Sequence, residues 1–302
     1  MALRSYVKIY NFGHKAIEDL FKDPVIIQEK VDGSQFSFGV DKDTGELLCA
    51  SHYTNLNLNA AGMFQPAVDY VKSIAGKLFT GCAYRGEFLA KPHHNTLKYN
   101  RIPNNHIILF DIDMGQENYL PPDGVRREAD FLGLEVVPTY PTEGVKLDVD
   151  NFNEFLKKES ILGGTTIEGV VIKNYHRFGV DGHCLMGKFV SEKFKEMNKK
   201  QFKQTNPSQG DIVQQLSTEL KTDARWLKAI QHLKEQGLLK DDPADIGILL
   251  KELNKDIDSE CADYIKERLY SHSRKEILRG ATKGFPAWYK QLLVEKQFNK
   301  EN

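Results

Sequence analysis

The sequence predicts an α+β protein, in which a region of strands with flanking helices is followed by a smaller all-helical region. Apolar and polar residues alternate in several short segments of the first two thirds of the chain, and Asp43-Thr44-Gly45 joins two of them as a hairpin. Beyond the polar stretch Gln201–Gly210, apolar residues recur with the helical period instead. We therefore expect one domain over residues 1–206 and a helical domain over residues 207–302.

The composition is that of a folded protein with no overall charge bias. Of its 302 residues 40% are hydrophobic, and its 41 Lys and Arg nearly balance its 42 Asp and Glu. A wholly disordered chain is excluded, and any nucleic-acid surface has to be local. The four cysteines are far apart and form no C-x-x-C pair, which argues against a zinc module or a disulfide framework. There is no apolar signal core and no run of about 20 apolar residues, so we expect a soluble cytoplasmic protein.

Strand and helix signals alternate along the first region. Period-two alternation indicates strands, while proline at the start and glycine at the end of a segment with helical period indicate helices. Strands are expected over residues 25–27, 35–40, 82–89, 106–112, 134–137, 165–174 and 184–190. Helices are expected over residues 14–21, 66–79, 122–132, 150–158, 211–220, 223–236, 243–253, 258–278 and 286–296.

A polar loop, Lys91–Arg101, separates two of the expected strands. It is rich in basic and aromatic residues, so we expect it to face either water or a polyanion. His93 and His94 are expected to be ordinary loop histidines, because no third metal ligand stands at a suitable spacing. Trp226 and Trp288 fall in helical patterns and are expected in the core.

The stretch Glu29–Ser34 joins two strand signals around a lysine, a carboxylate and a glycine. Gly33 leaves a bare turn that a phosphate can approach, and a desolvated Lys30 can act as a nucleophile. The alternative is a hairpin with an exposed lysine, and these residues alone favour that alternative because such short patterns recur by chance. The motifs further along the chain decide between the two.

Four further motifs stand at strand positions, namely Tyr84–Leu89, Leu109–Asp113, Glu168–Lys173 and Gly187–Glu196. Taken in order, Lys-x-Asp-Gly, Arg-Gly-Glu, Phe-Asp-Ile, Glu-Gly-Val-Val-Ile-Lys and a lysine-bearing last strand resemble the motifs of covalent nucleotidyltransferases. That superfamily comprises ATP-dependent DNA and RNA ligases and mRNA capping enzymes. Within it, the stretches His94–Tyr99 and Ser191–Glu196 look like the double-strand RNA ligase family, which includes phage nick-sealing and RNA-editing-type enzymes.

This resemblance implies an adenylyltransferase domain with an ATP-grasp-like ligase fold, built on antiparallel sheets with flanking helices. It implies an ATP-dependent RNA ligase that joins a 3′-hydroxyl to a 5′-phosphate through a lysyl-adenylate and an adenylated RNA. Lys30 is the matching nucleophile. Because an ordinary lysine has a pKa of about 10.4, holding its amine neutral at pH 7 costs roughly 4.6 kcal/mol. A bound divalent ion and the cations Lys173 and Lys188 would offset that cost.

The resemblance also implies roles for other residues. Asp32, Glu87 and Glu168 would gather around Mg²⁺, with Mn²⁺ as the alternative ion, and Mg²⁺ suits this role because it tends to keep several of its waters. Phe110 would stack on the adenine, the alternative being a core phenylalanine, and such stacking contributes about 1–3 kcal/mol per base. The catalytic set is Lys30, Glu87, Glu168 and Lys188. The nucleotide-binding set is Gln28, Glu29, Lys30, Gly33, Phe110, Glu168, Lys173 and Lys188, with backbone groups near the first two reading the purine edge.

Two positions depart from the family pattern. Val190 stands where a second lysine is usual, so one α-phosphate contact is missing or is supplied by Lys193. His52 stands where arginine is usual, and a neutral histidine donates only one hydrogen bond, so it cannot copy a bidentate contact to the 5′-phosphate. The stretch from Met186 to Thr205 contains six lysines against two glutamates. We expect His52, Lys193 and Lys195 to contact nucleic acid.

We therefore expect a monomeric RNA-repair ligase that acts on a nicked duplex or a broken structured RNA, with no membrane contact. Since the family includes phage enzymes, the alternative to a cellular gene is one carried by a phage or virus. The rival activities are those of an ATP-dependent DNA ligase and a capping-type guanylyltransferase, and both classes carry a β-barrel after the catalytic domain. No strand pattern follows Ser208, which favours the RNA ligase. An inert nucleic-acid-binding homologue is a further rival, against which the intact set of Lys30, Glu87 and Glu168 argues.

Overall fold

The computed structural model describes residues 3, 6–52, 54–142, 147–190 and 212–298. Within these residues the strands are β1 Tyr10–Asn11, β2 Ile26–Lys30, β3 Ser34–Val40, β4 Leu47–Ser51, β5 Ala83–Phe88, β6 Ile107–Asp113, β7 Glu135–Val136, β8 Thr139–Tyr140, β9 Gly169–Phe178 and β10 Cys184–Val190. The α-helices are α1 Gln65–Ile74, α2 Pro122–Leu132, α3 Val149–Phe155, α4 Ile212–Leu220, α5 Asp223–Glu235, α6 Ile246–Ala281 and α7 Phe285–Phe298. The α+β class with a helical C-terminal region is confirmed.

The strands form two five-stranded sheets. The first has the order β1-β10-β9-β2-β8 and the second has the order β4-β3-β5-β6-β7. The pairs within each sheet are antiparallel, as expected, except that β1 runs parallel to β10 and β7 runs parallel to β6 at the edges. Strands β1 and β8 were not predicted, because two residues are too few to leave an alternating pattern.

One face of each sheet is buried against helices. On the second sheet, Phe36 and Tyr84 are fully buried in a core that α1 and α2 complete. On the first sheet, Ile27 and Ile172 pack against Phe152 of α3. Because successive strand residues point to opposite faces, the residues between these apolar positions point toward the other sheet. The polar residues of the two sheets therefore face each other.

Strand β6 contains one extra residue relative to β5. Arg85 lies opposite Asp111, whereas its neighbour Gly86 lies opposite Leu109, so the register shifts at Phe110. This is a β-bulge. Phe110 and Asp111 consequently reach the same side of the sheet, where both contact Tyr6.

Helix α2 has the bounds that the sequence predicted. Pro122 lies in its first turn, where the missing N–H is not needed. Gly133 follows its last residue with a φ of 67°, a left-handed conformation that favours glycine, and its N–H donates to carbonyls of the final turn. Both ends of α2 are therefore set by local residues.

Backbone contacts divide the chain into two compact units, Met1–Lys203 with Ile230–Lys240 and Gln204–Ala229 with Asp241–Asn302. The last turns of α5 thus belong to the first unit. The predicted domain boundary at residue 206 lies in the stretch 191–211, outside the described residues, and it stays a prediction.

Some helical expectations were wrong. Most of the two expected helices 243–253 and 258–278 forms one helix, α6, because no glycine or proline interrupts residues 254–257. Only Pro243–Asp245 forms a separate 3₁₀ turn. The expected helix over 14–21 is only a short 3₁₀ turn, Lys15–Ile17. Trp226 and Trp288 are 41% and 58% exposed. They are not core residues, because the helices of this part of the chain bury few side chains, and none of those in α6 is buried.

Two further findings concern the whole described chain. Its four cysteines are all free thiols. None of the helices that the structure describes combines the length and the apolar character required to cross a bilayer.

Candidate active site

Lys30 ends β2 on the inner face of the first sheet. Its ammonium nitrogen lies 2.7 Å from a carboxylate oxygen of Glu168, the residue just before β9, and the two side chains are 26% and 7% exposed. Burial disfavours the ammonium form. The charges of Glu168, Glu87 and Asp32 outweigh this effect and raise the pKa of Lys30 above its usual range. Among these side chains alone, Lys30 is therefore held as a cation.

Glu87 of β5 approaches this ion pair from the second sheet. Burial raises the pKa of Glu87 to about 8, and although Lys30 opposes the shift, neighbouring carboxylates reinforce it. Those carboxylates are Glu168, Asp32 and Glu235. The Oε2 atom of Glu87 is buried and has no hydrogen-bond partner among the described residues. Such an oxygen is costly to bury unless a proton or a cation meets it.

The turn Asp32–Ser34, called the lysine turn below, is held by the loop that follows β5. One carboxylate oxygen of Asp32 accepts the backbone N–H groups of Thr96 and Leu97, each at 2.7 Å. The backbone N–H of Asp32 donates to the hydroxyl of Tyr99 at 2.8 Å. The carboxylate of Asp32 is thereby fixed in place.

Gly33 packs directly against β5. A Cβ atom at this position would lie 2.9 Å from the carbonyl oxygen of Phe88 and 3.2 Å from the Cβ of Glu87. The Gly33 carbonyl accepts a hydrogen bond from the side-chain amide of Asn95 at 2.8 Å. The absence of a side chain therefore lets the lysine turn lie against the strand that carries Glu87.

The expectation that the loop Lys91–Arg101 faces water or a polyanion is wrong for two of its residues. Tyr99 is 3% exposed and His94 is 9% exposed. Both are buried because they satisfy polar groups of the lysine turn. Burial also lowers the pKa of His94 to about 4, so its ring is neutral at pH 7.

Gln28, Lys30 and Lys188 share the inner face of the first sheet. Gln28 and Lys188 both lie opposite Val171, which places them in one row across three strands. The Gln28 side-chain oxygen is buried and has no partner among the described residues. Burial raises the pKa of Glu168, and Lys30 and Lys188 both oppose that shift. Lys188 is therefore close enough to act on the ion pair.

Glu29 points to the opposite face of β2. Its carboxylate accepts the hydroxyl of Ser160 at 2.5 Å and the backbone N–H of Ile161 at 3.1 Å. Its own backbone N–H donates to the carbonyl of Pro138 at 3.0 Å. The side chain of Glu29 thus supports the loop before β9, and its role in reading the purine edge stays a prediction.

Phe110 stands at the bulge of β6 with the Lys173 ammonium against its ring, 5.0 Å from the centroid. The same ammonium lies 2.9 Å from a carboxylate oxygen of Asp111. The hydroxyls of Tyr6 and Tyr175 also donate to Asp111. Burial lowers the pKa of Lys173, and the Asp111 carboxylate opposes the shift. The Lys173 charge is thus already paired inside the fold, beneath the ring of Phe110.

Among the described residues, no three His, Cys, Asp or Glu side chains form a preassembled metal site. Asp32 and Glu168 have partners already, whereas Oε2 of Glu87 has none in the part of the chain that the structure describes. All three offer oxygen, the ligand type of Mg²⁺ and Mn²⁺. The residues therefore fit an ion that brings most of its ligands as water or phosphate oxygens and that Glu87 meets directly.

Val190 lies on the same inner face as Lys30. Both lie opposite Gly169 of β9, one on each side. The aliphatic side chain of Val190 carries no positive charge that could bind a phosphate. The positive charge of β10 comes from Lys188 alone.

His52 is the one predicted nucleic-acid contact that the structure describes. Its Nδ1 atom lies 2.6 Å from the side-chain oxygen of Gln35, and Gln35 lies opposite Glu87 across the pair β3 and β5. The exposed His52 ring therefore borders the inner face of the second sheet. Lys193 and Lys195 lie outside the described residues.

Sequence reasoning missed four residues that shape the site, namely Ser34, Tyr99, Asp111 and Glu235. Asp111 and Ser34 stand inside motifs that the sequence singles out, so their position in those motifs could have indicated that they belong to the site. Glu235 contacts Ser34 across 201 positions of sequence. No local pattern indicates such a contact.

The comparisons with known proteins agree with this fold. The Naegleria gruberi RNA ligase with PPi is 17% identical to this chain with a TM-score of 0.50, and the match covers 65% of this chain and 58% of that one. A glutamate-to-alanine variant of that ligase with ATP and Mn matches with the same identity, coverage and TM-score. At this identity the similarity shows the fold, and the match spans less than two thirds of that ligase. A comparison with curated proteins finds no match.

The fold is that of an RNA ligase. The model of the RNA ligase family matches residues 23–190, more than half of the sequence. The chain belongs to the RNA ligase family.

Proposed function

We propose that this protein is an ATP-dependent RNA ligase in which Lys30 accepts AMP from ATP and passes it to an RNA 5′-phosphate. The observation that supports this most is the Lys30–Glu168 ion pair, which faces a Glu87 oxygen of the second sheet that has no partner among the described residues. A lysine and carboxylates on two facing sheets are a suitable arrangement for binding a triphosphate and a cation between them. Membership of the RNA ligase family supports RNA as the substrate.

The first step forms a bond between Nζ of Lys30 and the α-phosphorus of ATP. The bond from that phosphorus to the oxygen bridging to the β-phosphate breaks, and pyrophosphate leaves with the electron pair. Lys30 has to lose a proton first, because its pKa is raised. Among the described residues Glu168 is the carboxylate in direct contact with Nζ, so we assign it as the proton acceptor.

A divalent ion would be held by Glu87, with Asp32 and Glu168 nearby. When bound, it supplies positive charge that stabilises the phosphate oxygens. On the protein side, the ion would give a partner to the Glu87 oxygen, which has none among the described residues, and it would offset the carboxylate charges that keep Lys30 protonated. Lys188 adds a further cation on the inner face of the same sheet.

The purine would lie between the two sheets, near Gln28 and Phe110. The Gln28 side-chain oxygen is a buried acceptor with no partner among the described residues, and the adenine amino group is a matching donor. The ring of Phe110 is held by Tyr6 and by Lys173, so it can stack without rearranging. We assign Lys173 mainly to supporting this ring, because its charge is paired with Asp111.

In the later steps an oxygen of the RNA 5′-phosphate attacks the adenylate and displaces Lys30, and a 3′-hydroxyl then displaces AMP. The exposed ring of His52 borders the inner face, which supports a contact with the 5′-phosphate end. A nick in a duplex or a break in a structured RNA would present both ends together. We therefore propose such a joint as the substrate.

Incubation with ATP labelled on the α-phosphate tests the proposal. We expect an acid-labile, alkali-stable adduct on the wild-type protein, no adduct on Lys30→Ala, and an unchanged adduct on the control Lys22→Ala, which alters an exposed lysine. An absent wild-type adduct, or an adduct that persists in Lys30→Ala, would overturn the proposal. Labelled GTP in place of ATP tests the capping-type alternative.

A second experiment separates RNA from DNA joining. Nicked duplexes with an RNA or a DNA strand on the 3′-hydroxyl side are offered under the same conditions. We expect sealing to need RNA at the 3′-hydroxyl side. Equal sealing of an all-DNA nick would identify a DNA ligase instead.

A further inference from the structure

The Ser34 hydroxyl, at the end of the lysine turn, is the centre of a polar cluster. Ser34 is 4% exposed. Its oxygen lies 2.8 Å from Nε2 of His94 and accepts the side-chain amide of Gln231 at 3.2 Å. Its proton goes to a carboxylate oxygen of Glu235, which also accepts from Gln231 at 3.1 Å. Residues from the last turns of α5 thus contact the lysine turn.

The direction of each hydrogen bond follows from the state of His94. Its Nδ1 atom accepts the backbone N–H of Ala90 at 3.1 Å, and the ring is neutral at pH 7. The proton is therefore on Nε2, which donates to Ser34. His94 cannot act as a base toward Ser34, so the cluster is not a catalytic Ser-His pair. Glu235 is the acceptor for the single hydroxyl proton of Ser34.

Glu235 differs from the other groups that hold the lysine turn. Asp32 and Gly33 are fixed by residues 95–99 of the neighbouring loop. Glu235 comes instead from a helix beyond residue 190, where the family match ends. It also lies close enough to Glu87 to raise the pKa of that carboxyl, together with burial and the other carboxylates. The helix end is thus part of the surroundings of the proposed nucleophile.

We infer that Glu235 is a positioning residue for the adenylation step. By accepting the Ser34 hydroxyl it anchors the lysine turn from α5, and it thereby keeps Lys30 aligned for attack. This inference rests on the proposed role of Lys30. It assigns part of the adenylation machinery to a segment outside the family-matched region.

The test measures single-turnover transfer of labelled AMP to Lys30 at saturating ATP, with the full-length chain. We expect Glu235→Ala and Ser34→Ala each to slow the transfer about tenfold, because a misplaced Lys30 spends less time in the geometry for attack. Because both changes break the same hydrogen bond, the double variant should be no slower than the slower single variant. Additive losses would show that the two residues act independently, which would overturn the inference.

Glu235→Gln distinguishes positioning from a purely electrostatic role. A glutamine keeps an oxygen that accepts the Ser34 hydroxyl but carries no charge, so we expect its transfer rate to stay within about twofold of wild type. A rate as low as that of Glu235→Ala would show that the charge matters instead, and would contradict the inference. The Ser34→Ala variant, which removes a single oxygen, keeps the test decisive if Glu235→Ala does not fold.

The matched control is Asp130→Ala, which removes an exposed carboxylate from α2. We expect wild-type transfer from it. Circular dichroism at the assay temperature checks that each variant is folded, and the ATP concentration dependence checks that a rate loss does not come from weaker ATP binding. If the wild-type protein forms no adduct, the proposed function itself fails. If wild type forms the adduct and Glu235→Ala forms it equally fast, only the inference fails.

Discussion

The Nζ atom of Lys30 lies 2.7 Å from a carboxylate oxygen of Glu168, so the proposed nucleophile is held in its protonated, ammonium form. The surrounding carboxylates raise its pKa, against the effect of burial. The chemistry needs the neutral amine. The carboxylates around Lys30 thus favour its charged form, and the positive charge of a cation bound with ATP would offset that effect.

Glu168→Gln separates the effect of Glu168 on the pKa of Lys30 from its proposed role as proton acceptor. We expect Lys30 to react faster with an amine-specific reagent, because the nearest negative charge that raises its pKa is gone. We expect AMP transfer to fall by roughly 100-fold or more, since the proton acceptor is lost. Mass spectrometry of the modified Lys30 peptide and labelled-ATP transfer give the two readouts. A parallel rise or a parallel fall in both would contradict the assigned role.

The buried pair of Lys173 and Asp111 is expected to be a stability determinant. The two side chains are 2% and 1% exposed. Lys173→Met leaves the Asp111 carboxylate without its cation and should lower the free energy of unfolding by about 3–5 kcal/mol. Urea unfolding measures this change. A stable Lys173→Met protein that fails to bind ATP would instead support the direct phosphate contact expected from the sequence.

Gly33→Ala is expected to disturb the site through backbone packing. The added Cβ would lie 2.9 Å from the Phe88 carbonyl oxygen, and overpacking of this kind costs roughly 1–3 kcal/mol. AMP transfer should fall as well, because the lysine turn has to move away from Glu87. The control Gly76→Ala adds a Cβ that meets nothing within 4 Å, and its stability should stay within about 0.5 kcal/mol of wild type.

His94 is expected to make stability pH-dependent. Its pKa is lowered to about 4 in the folded chain, whereas an unfolded histidine has a pKa of about 6.5. Between these values the unfolded chain binds the proton, so the contribution of His94 is complete above pH 6.5 and is lost as the pH falls toward 4. The full effect is about 3 kcal/mol.

The measurement for this prediction is urea unfolding of wild type and His94→Asn across that range. Asparagine keeps an acceptor for the Ala90 N–H but does not titrate. The wild-type stability should fall more steeply with acid than that of the variant. Superimposable profiles would mean that His94 is accessible to protons in the folded state.

Much of the fold could be predicted from local signals. The ends of α2 are set by Pro122 and Gly133, so a few neighbouring residues fix them. The strand that carries Lys30 and the last strand with Lys188 were also predicted, because their apolar patterns are long enough to read. The two-residue strands β1 and β8 were missed because the partner strand, not their own sequence, makes them strands.

The site was less predictable where contacts are long-range. The loop Lys91–Arg101 is polar in sequence, yet His94 and Tyr99 within it are buried because they satisfy the polar groups of the lysine turn. The acceptor of the Ser34 hydroxyl, Glu235, comes from a different part of the chain. The roles predicted for Lys193 and Lys195 stay predictions.

The bulge in β6 places Phe110 outside the regular pairing between β6 and β5. Pairing is regular on both sides of Phe110, with Leu109 opposite Gly86 and Asp111 opposite Arg85. Removing Phe110 would leave Leu109 and Asp111 adjacent on a regular ladder, and it would remove both the ring and the backbone carbonyl that accepts from Lys173 at 3.2 Å. The residue that carries the ring is thus one that the regular pairing of β5 and β6 does not require.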